Sequence, residues 1–196
     1  MLHQWKKGAR RLLLENPLYK VVEEVHTHPA IPDPIPFWIV DSRDWVNVIA
    51  VDKDSLRDSS ARILLVKQYR VGCERVTWEL PGGSCEENDP TPLHTARREL
   101  LEESGASGVR WVYLGSMSPN AAFYRNRTHC FVAFGCRIDP QAVIGDGREV
   151  IEPEWVPWTE HHRLILDGKV DHGLVIANFT LADAHLATDS EISRQL

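Results

Sequence analysis

Arg98, Glu99, Glu102 and Glu103 carry most of the chemistry legible in this chain, because three carboxylates recur at spacings of one, three and four residues. At about 3.6 residues per turn, positions three and four apart share a face, so a helix here brings Glu99, Glu102 and Glu103 into one sector. Like charges so placed repel by a few tenths of a kcal/mol per pair, roughly, and a divalent cation removes that conflict. Hard carboxylate oxygens suit Mg2+ or Mn2+. A solvated acidic helix face is the competing reading of these residues alone. Arg98 stands at the edge of the sector, where it can pair with an acid or hold the preceding loop. Upstream, Pro81-Gly82-Gly83 follows the strand-like Val76 to Leu80, and glycines there let backbone approach a ligand closely.

Such residues need rigid elements behind them. The spacing predicts a helix from Pro92 to Ser104, with Thr91 as cap, Pro92 at the first helical position and Gly105 as the stop. Leu93, Leu100 and Leu101 are expected to face a core. Two more helices are expected over Thr159 to Leu166 and Leu174 to Leu186. Alternation and β-branched content predict strands at Tyr19 to His26, Phe37 to Asp41, Val46 to Val51, Ile63 to Gln68, Val109 to Ser116, His129 to Arg137 and Glu154 to Pro157. The proline-rich Pro29 to Pro36 reads as a turn region. Many strands with few helices indicate an α+β domain with mixed sheets.

The segment PGGSCEENDPTPLHTARRELLEESGA (residues 81–106) resembles the Nudix box, G-x5-E-x7-R-E-U-x-E-E-x-G-U with U apolar. Gly83, Arg98, Glu99, Leu100, Glu102, Glu103, Gly105 and Ala106 match it. One extra residue lies between the glycine and the arginine, and the first box glutamate has Asp89 as its nearest substitute, with Glu86 and Glu87 nearby. Further stretches around Asp44 to Val46, Leu65 to Arg70 and Trp78 to Gly83 are similar to the branch that holds ADP-ribose pyrophosphatases and related nucleotide-sugar hydrolases.

That resemblance implies a Nudix fold, mixed β-sheets sandwiched between helices. It also implies a homodimer, in which a small N-terminal β segment over residues 1–42 helps build the partner's site and residues 43–196 form the hydrolase domain. It implies that Glu99, Glu102, Glu103 and the Gly82 carbonyl hold Mg2+, or Mn2+, with Glu103 and Arg98 in the catalytic set. The family places a catalytic glutamate in a later loop, where Glu149 is the closest match and Glu152 the rival. Arg70 resembles the arginine that contacts substrate phosphate, work suited to a planar bidentate donor. Trp78 and Tyr69 can stack on a base, although strand aromatics commonly serve a core. Arg125 and Arg127 can touch a phosphate or terminal sugar. The implied reaction is hydrolysis of the diphosphate of ADP-ribose or a related nucleotide sugar to a nucleoside monophosphate and a sugar phosphate. A non-catalytic nucleotide sensor, or a hydrolase of GDP-mannose or a dinucleoside polyphosphate, are the alternatives.

Composition narrows the partners. The length, 196 residues, allows one sizeable core with a small N-terminal attachment, and 43% hydrophobic with 26% charged residues is ordinary globular usage. A net charge of −6 without a basic cluster argues against nucleic acid. Apolar runs fall short of a membrane span, and no leader pattern is visible, so a cytoplasmic location is the expectation. The four cysteines lack metal-finger spacing and read as reduced thiols. His26 with His28, and His161 with His162, read as surface or structural histidines, since neither pair has a third ligand at a recognisable spacing.

Overall fold

Prolines at alternate positions shape the start of the chain. The computed structural model describes residues 2–145, 147 and 150–196, which divide into two compact units, Met1–Asp44 with Met117–Arg127, and Trp45–Ser116 with Thr128–Leu196. In the first unit β1 (Lys6–Glu15), β2 (Tyr19–His28) and β3 (Ile31–Ser42) form an antiparallel sheet in that order. The proline-rich segment is therefore strand rather than turn. Pro32, Pro34 and Pro36 lie within β3, at the sheet's edge, and residues two apart direct their backbone nitrogens to the same side, so the missing N–H groups interrupt only one side of the strand. The patterning did not announce β1: its KKGARRLLLE sequence does not alternate, and its register against β2 slips twice. All ten of its residues are exposed, so no buried face selected an alternating pattern.

The second unit is built on β4 (Trp45–Val51), β5 (Arg62–Arg70), β6 (Arg75–Glu79), β7 (Gly82–Ser84), β9 (Arg110–Met117), β10 (Thr128–Phe134) and β12 (Ile151–Pro157). These make one sheet in the order β12-β5-β4-β10-β9, with β6 on β5 and β7 on β4. Its β4–β10 pair is parallel, whereas β4 pairs antiparallel with β5 and β7, so the sheet is mixed. A short pair, β8 (Ala106–Ser107) with β11 (Arg137–Ile138), lies apart. Helices α1 (Pro92–Ser104), α2 (His161–Leu166) and α3 (Gly173–Leu186) complete the α+β architecture.

A fork in this sheet positions the glycine turn. β4 pairs with β5 only at Ala50 and Val51, while its other end, Trp45 to Asn47, pairs with Ser84 to Gly82 of β7. Val48 N–H donates to the Pro81 carbonyl at 2.9 Å where the two partners diverge. Against β4 and β7 packs α1, whose Ala96 and Leu100 join Val46, Val48, Ala50, Leu64 and Phe131 in a buried apolar cluster. Each buried valine, leucine or phenylalanine of this cluster is worth about 1.5–3 kcal/mol of transfer free energy, so core packing fixes the helix's rotation and with it the polar sector. Leu101 departs from the sequence expectation: it is 51% exposed, since Leu100 occupies the core-facing position and its neighbour must turn away.

The caps are divided. Gly105 takes φ 66° and returns its N–H to the Leu101 carbonyl, as a helix-ending glycine should. Thr91 makes no side-chain cap, and its hydroxyl meets His94 Nδ1 instead. All four cysteines are free. Burial pushes the Cys130 thiol up to about 12 and Cys136 up to about 11, so neither is a thiolate nucleophile near neutral pH. Among the described residues no helix is long and apolar enough to cross a membrane.

Candidate active site

Carboxylates of α1 stand against the glycine strand. Glu103, only 6% exposed, accepts a hydrogen bond from the Gly82 N–H at 2.8 Å. One turn earlier, Glu99 lies beside Gly83, where a Cβ would come within 2.5 Å of Glu99 Oε1. At Gly82 a Cβ would fall 2.1 Å from the Val46 carbonyl oxygen. Gly82 is thus required by its close approach to a strand backbone, whereas at Gly83 a Cβ would meet only the end of a carboxylate side chain. Glu102 is the most exposed of the three, with a side chain 49% accessible.

Arg98 ties this sector to the preceding loop. Its Nη1 lies 2.9 Å from Glu99 Oε1 and donates to Glu102 Oε2, also at 2.9 Å. Its Nη2 donates to Asp89 Oδ2 at 3.0 Å and to the Ser84 carbonyl at 3.2 Å. Asp89 also accepts from the Glu86 N–H and the Thr95 hydroxyl. Burial opposes ionisation of Asp89, but Arg98 and these two donors outweigh it and hold its carboxyl at about 2. The same acids hold the Arg98 proton more firmly than usual, against the opposing effect of burial. The loop with the extra residue therefore closes on Asp89, while Glu86 and Glu87 remain exposed.

This donor set fits a hard divalent cation. It offers three carboxylates beside a glycine strand, one of them buried and fixed, and the space a Cβ would fill at Gly83 is taken by a carboxylate. Among the described residues the α1 glutamates are not drawn together with all ligand atoms within 4.8 Å of one another. An open set of this kind suits magnesium, which takes one or two carboxylates and keeps several waters.

Arg70 and Trp78 belong to the same unit, on the β5–β6 hairpin. Arg70 donates from Nε and Nη2 to the two oxygens of Glu79, at 2.7 and 2.8 Å. Glu79 is buried, and burial would raise its pKa, but Arg70 and the Thr77 hydroxyl at 2.6 Å bring it below the ordinary value. Sequence reasoning singled out Arg70 and missed Glu79, because an acid at a strand position shows no sign of its cross-strand partner. The Trp78 ring meets two ammonium groups, Lys67 at 4.5 Å and Lys169 at 5.1 Å from its centroid, and Lys67 also pairs with Glu154. Tyr69 is 58% exposed.

Arg125 and Arg127 belong to the first unit. Arg125 donates to Glu24 at 2.8 Å and to Asp41 at 3.2 Å. Arg127 donates from its backbone to Asp44 and from Nη1 to Ser118. Glu149 lies outside the described residues. Earlier in the chain, the Gly145 N–H donates to the Glu102 carbonyl of α1 at 2.7 Å. Glu152 is exposed on β12, opposite Lys67 in register.

Comparison with known proteins bears on this geometry. A NUDIX domain family model matches residues 43–179. An ADP-ribose pyrophosphatase of Mycobacterium tuberculosis is 29% identical over 120 residues, 61% of this chain and 58% of that one. An ADP-ribose pyrophosphatase of Bacillus subtilis is 32% identical over 95 residues, 48% of each chain. The chain thus matches about half the length of these relatives. A crystal structure of an ADP compounds hydrolase superposes with a TM-score of 0.79 over 94% of this chain and 95% of that chain, at 17% identity, which shows a shared fold.

Proposed function

The chain belongs to the Nudix family, and from that premise we propose that it is a Mg2+-dependent hydrolase of the diphosphate in ADP-ribose or a related nucleotide sugar. The observation that carries this reading is the meeting of the buried Glu103 carboxylate with the Gly82 amide, beside Glu99 and Gly83. The two matched pyrophosphatases support the substrate class. Glu99, Glu102, Glu103 and the Gly82 carbonyl would hold the cation. When bound, it supplies neutralisation of phosphoryl charge and lowers the pKa of a water. Arg98 orients Glu99 and Glu102 from one guanidinium and fastens them to Asp89, a positioning role. Arg70, held in one orientation by Glu79, is the proposed phosphate contact, and Trp78 a proposed substrate contact in the same unit; Arg125 and Arg127, in the first unit, are each proposed by themselves as residues that touch a phosphate or terminal sugar. Glu149 is the proposed base, with Glu152 as its rival.

Assembly follows the same premise. We propose a homodimer that covers the N-terminal sheet, whose Leu12, Leu13 and Leu14 are 52%, 42% and 49% exposed and whose Trp38 is 58% exposed. Exposed apolar runs of this kind mark contact surfaces. Sedimentation of the wild type and of Leu12→Lys/Leu14→Lys tests it: a dimer that becomes a monomer is expected, and a monomeric wild type overturns it.

The activity is tested by incubating the chain and Mg2+ or Mn2+ with ADP-ribose, GDP-mannose and a dinucleoside polyphosphate, followed by chromatography of products. AMP and ribose 5-phosphate from ADP-ribose are expected. Tight binding of ADP-ribose with no product over hours would make the protein a sensor, and preferential cleavage of another substrate would reassign the specificity.

A further inference from the structure

Two adjacent histidines acquire in the fold the third ligand that they lack in sequence. His161 opens α2, His162 follows it, and Asp183 reaches them from α3. The Nε2 atoms of both histidines lie 3.0 Å from Asp183 Oδ2. Among the described residues this is the one His/Cys/Asp/Glu group whose ligand atoms all lie within 4.8 Å of one another. We propose that His161, His162 and Asp183 form a transition-metal site of zinc class, separate in chemistry from the carboxylate site of α1, which clips α2 to α3.

The surroundings match what such a ligand set needs. His161 Nδ1 lies 2.6 Å from the Trp158 carbonyl and Nε2 lies 3.0 Å from Asp183 Oδ2; both oxygens only accept, so in the proposed site Nδ1 keeps its proton for the carbonyl and the ion takes the place between Nε2 and the carboxylate. Metal-binding histidines are oriented by this kind of backbone hydrogen bond. The ring is further fixed by stacking on Trp158 at 4.0 Å and is 3% exposed. His162 and Asp183 have side chains 69% and 33% accessible, which gives an ion a path in and room for a water as fourth ligand. Tetrahedral Zn2+ with bonds of about 2.0–2.1 Å sets its ligand atoms roughly 3.3 Å apart, so the observed 3.0 Å separations need open only slightly. Two imidazoles and one carboxylate suit Zn2+, Co2+ or Ni2+ and not Mg2+.

Titration of the metal-stripped chain with Zn2+ against a chromophoric chelator, in excess Mg2+ to occupy the α1 carboxylates, tests the site. One equivalent bound by the wild type, and an affinity lower by at least about tenfold in His162→Ala and in Asp183→Asn, are expected. Co2+ should give the visible absorption of a tetrahedral N/O site in the wild type and not in either variant. His162 is exposed, so its variant keeps the fold. Unchanged Zn2+ affinity in His162→Ala, or no Zn2+ bound by the wild type in the presence of Mg2+, overturns the proposal. Glu102→Gln should bind Zn2+ like the wild type, which keeps this result independent of the proposed hydrolysis.

Discussion

Two ion networks in this protein use the same residue types for opposite ends. On α1 one guanidinium, Arg98, serves three carboxylates, Asp89, Glu99 and Glu102, while a fourth, Glu103, takes a backbone amide. In the N-terminal sheet two carboxylates, Glu24 and Asp41, are served by three cations, Lys7, Arg10 and Arg125. Each network contains an acid held at about 2. For Glu24, burial raises the pKa and the Lys7 and Arg125 hydrogen bonds overcome it. In the N-terminal network the cations outnumber the carboxylates, three to two. The α1 network sets four carboxylates and one guanidinium beside a glycine strand, the arrangement on which the proposed cation site rests. An acid's function is therefore read from the balance around it and not from its own pKa.

The comparison can be broken at several points. Glu102→Gln and Glu103→Gln should each lower Mg2+-dependent turnover on the order of 100-fold or more while leaving the circular dichroism spectrum unchanged, as loss of transition-state charge stabilisation does. Wild-type turnover in both variants would return the α1 acids to the structural class. The two glycines should separate fold from site. Gly82→Ala drives a Cβ against the Val46 backbone oxygen and should cost about 1–3 kcal/mol in a denaturant titration, the usual scale of overpacking. Gly83→Ala meets only the end of the Glu99 side chain and should leave stability nearly unchanged while weakening Mn2+ binding. Equal losses of stability in both would place Glu99 in the core framework.

A milder test lies in the N-terminal sheet. Glu24→Gln should destabilise by about 1–3 kcal/mol, less than for a fully buried pair because Lys7 and Arg125 are partly exposed. Because folded Glu24 is a stronger acid than its ordinary value of 4.5, the unfolded chain binds more protons below that pH. Its contribution is then complete above pH 4.5 and lost as pH falls through about 2. Acid unfolding followed with and without Mg2+ should show this loss unaffected by the ion. A shift of the Glu24 effect on adding Mg2+ would erase the distinction between the networks.

The sequence revealed these regions unequally. The ends of helix α1 were legible because Pro92 and Gly105 mark them locally, whereas Leu101 was assigned to the core and is exposed, and Thr91 makes no side-chain cap. The acids on it followed from its period. Partners supplied by other strands or helices were not legible: Glu79 for Arg70, nine residues away, and Asp183 for His161 and His162, 22 residues from the first, since such contacts leave no local trace. β1 was hidden because an exposed strand needs no alternation, and β3 because three prolines read as a turn until the sheet's edge made them permissible. Trp78, read as a base-stacking candidate, has its ring beside two ammonium groups that come from β5 and from the segment before α3, neighbours that its own stretch of sequence does not announce.

The claim that α1 gathers a divalent cation is tested most directly by Mn2+ titration with electron paramagnetic resonance, which counts free ion, on the wild type and on Glu99→Gln/Glu102→Gln/Glu103→Gln. Saturable Mn2+ binding in the wild type that disappears in the triple variant, with both chains folded, is the predicted result. Binding of equal affinity and stoichiometry in the two would contradict it.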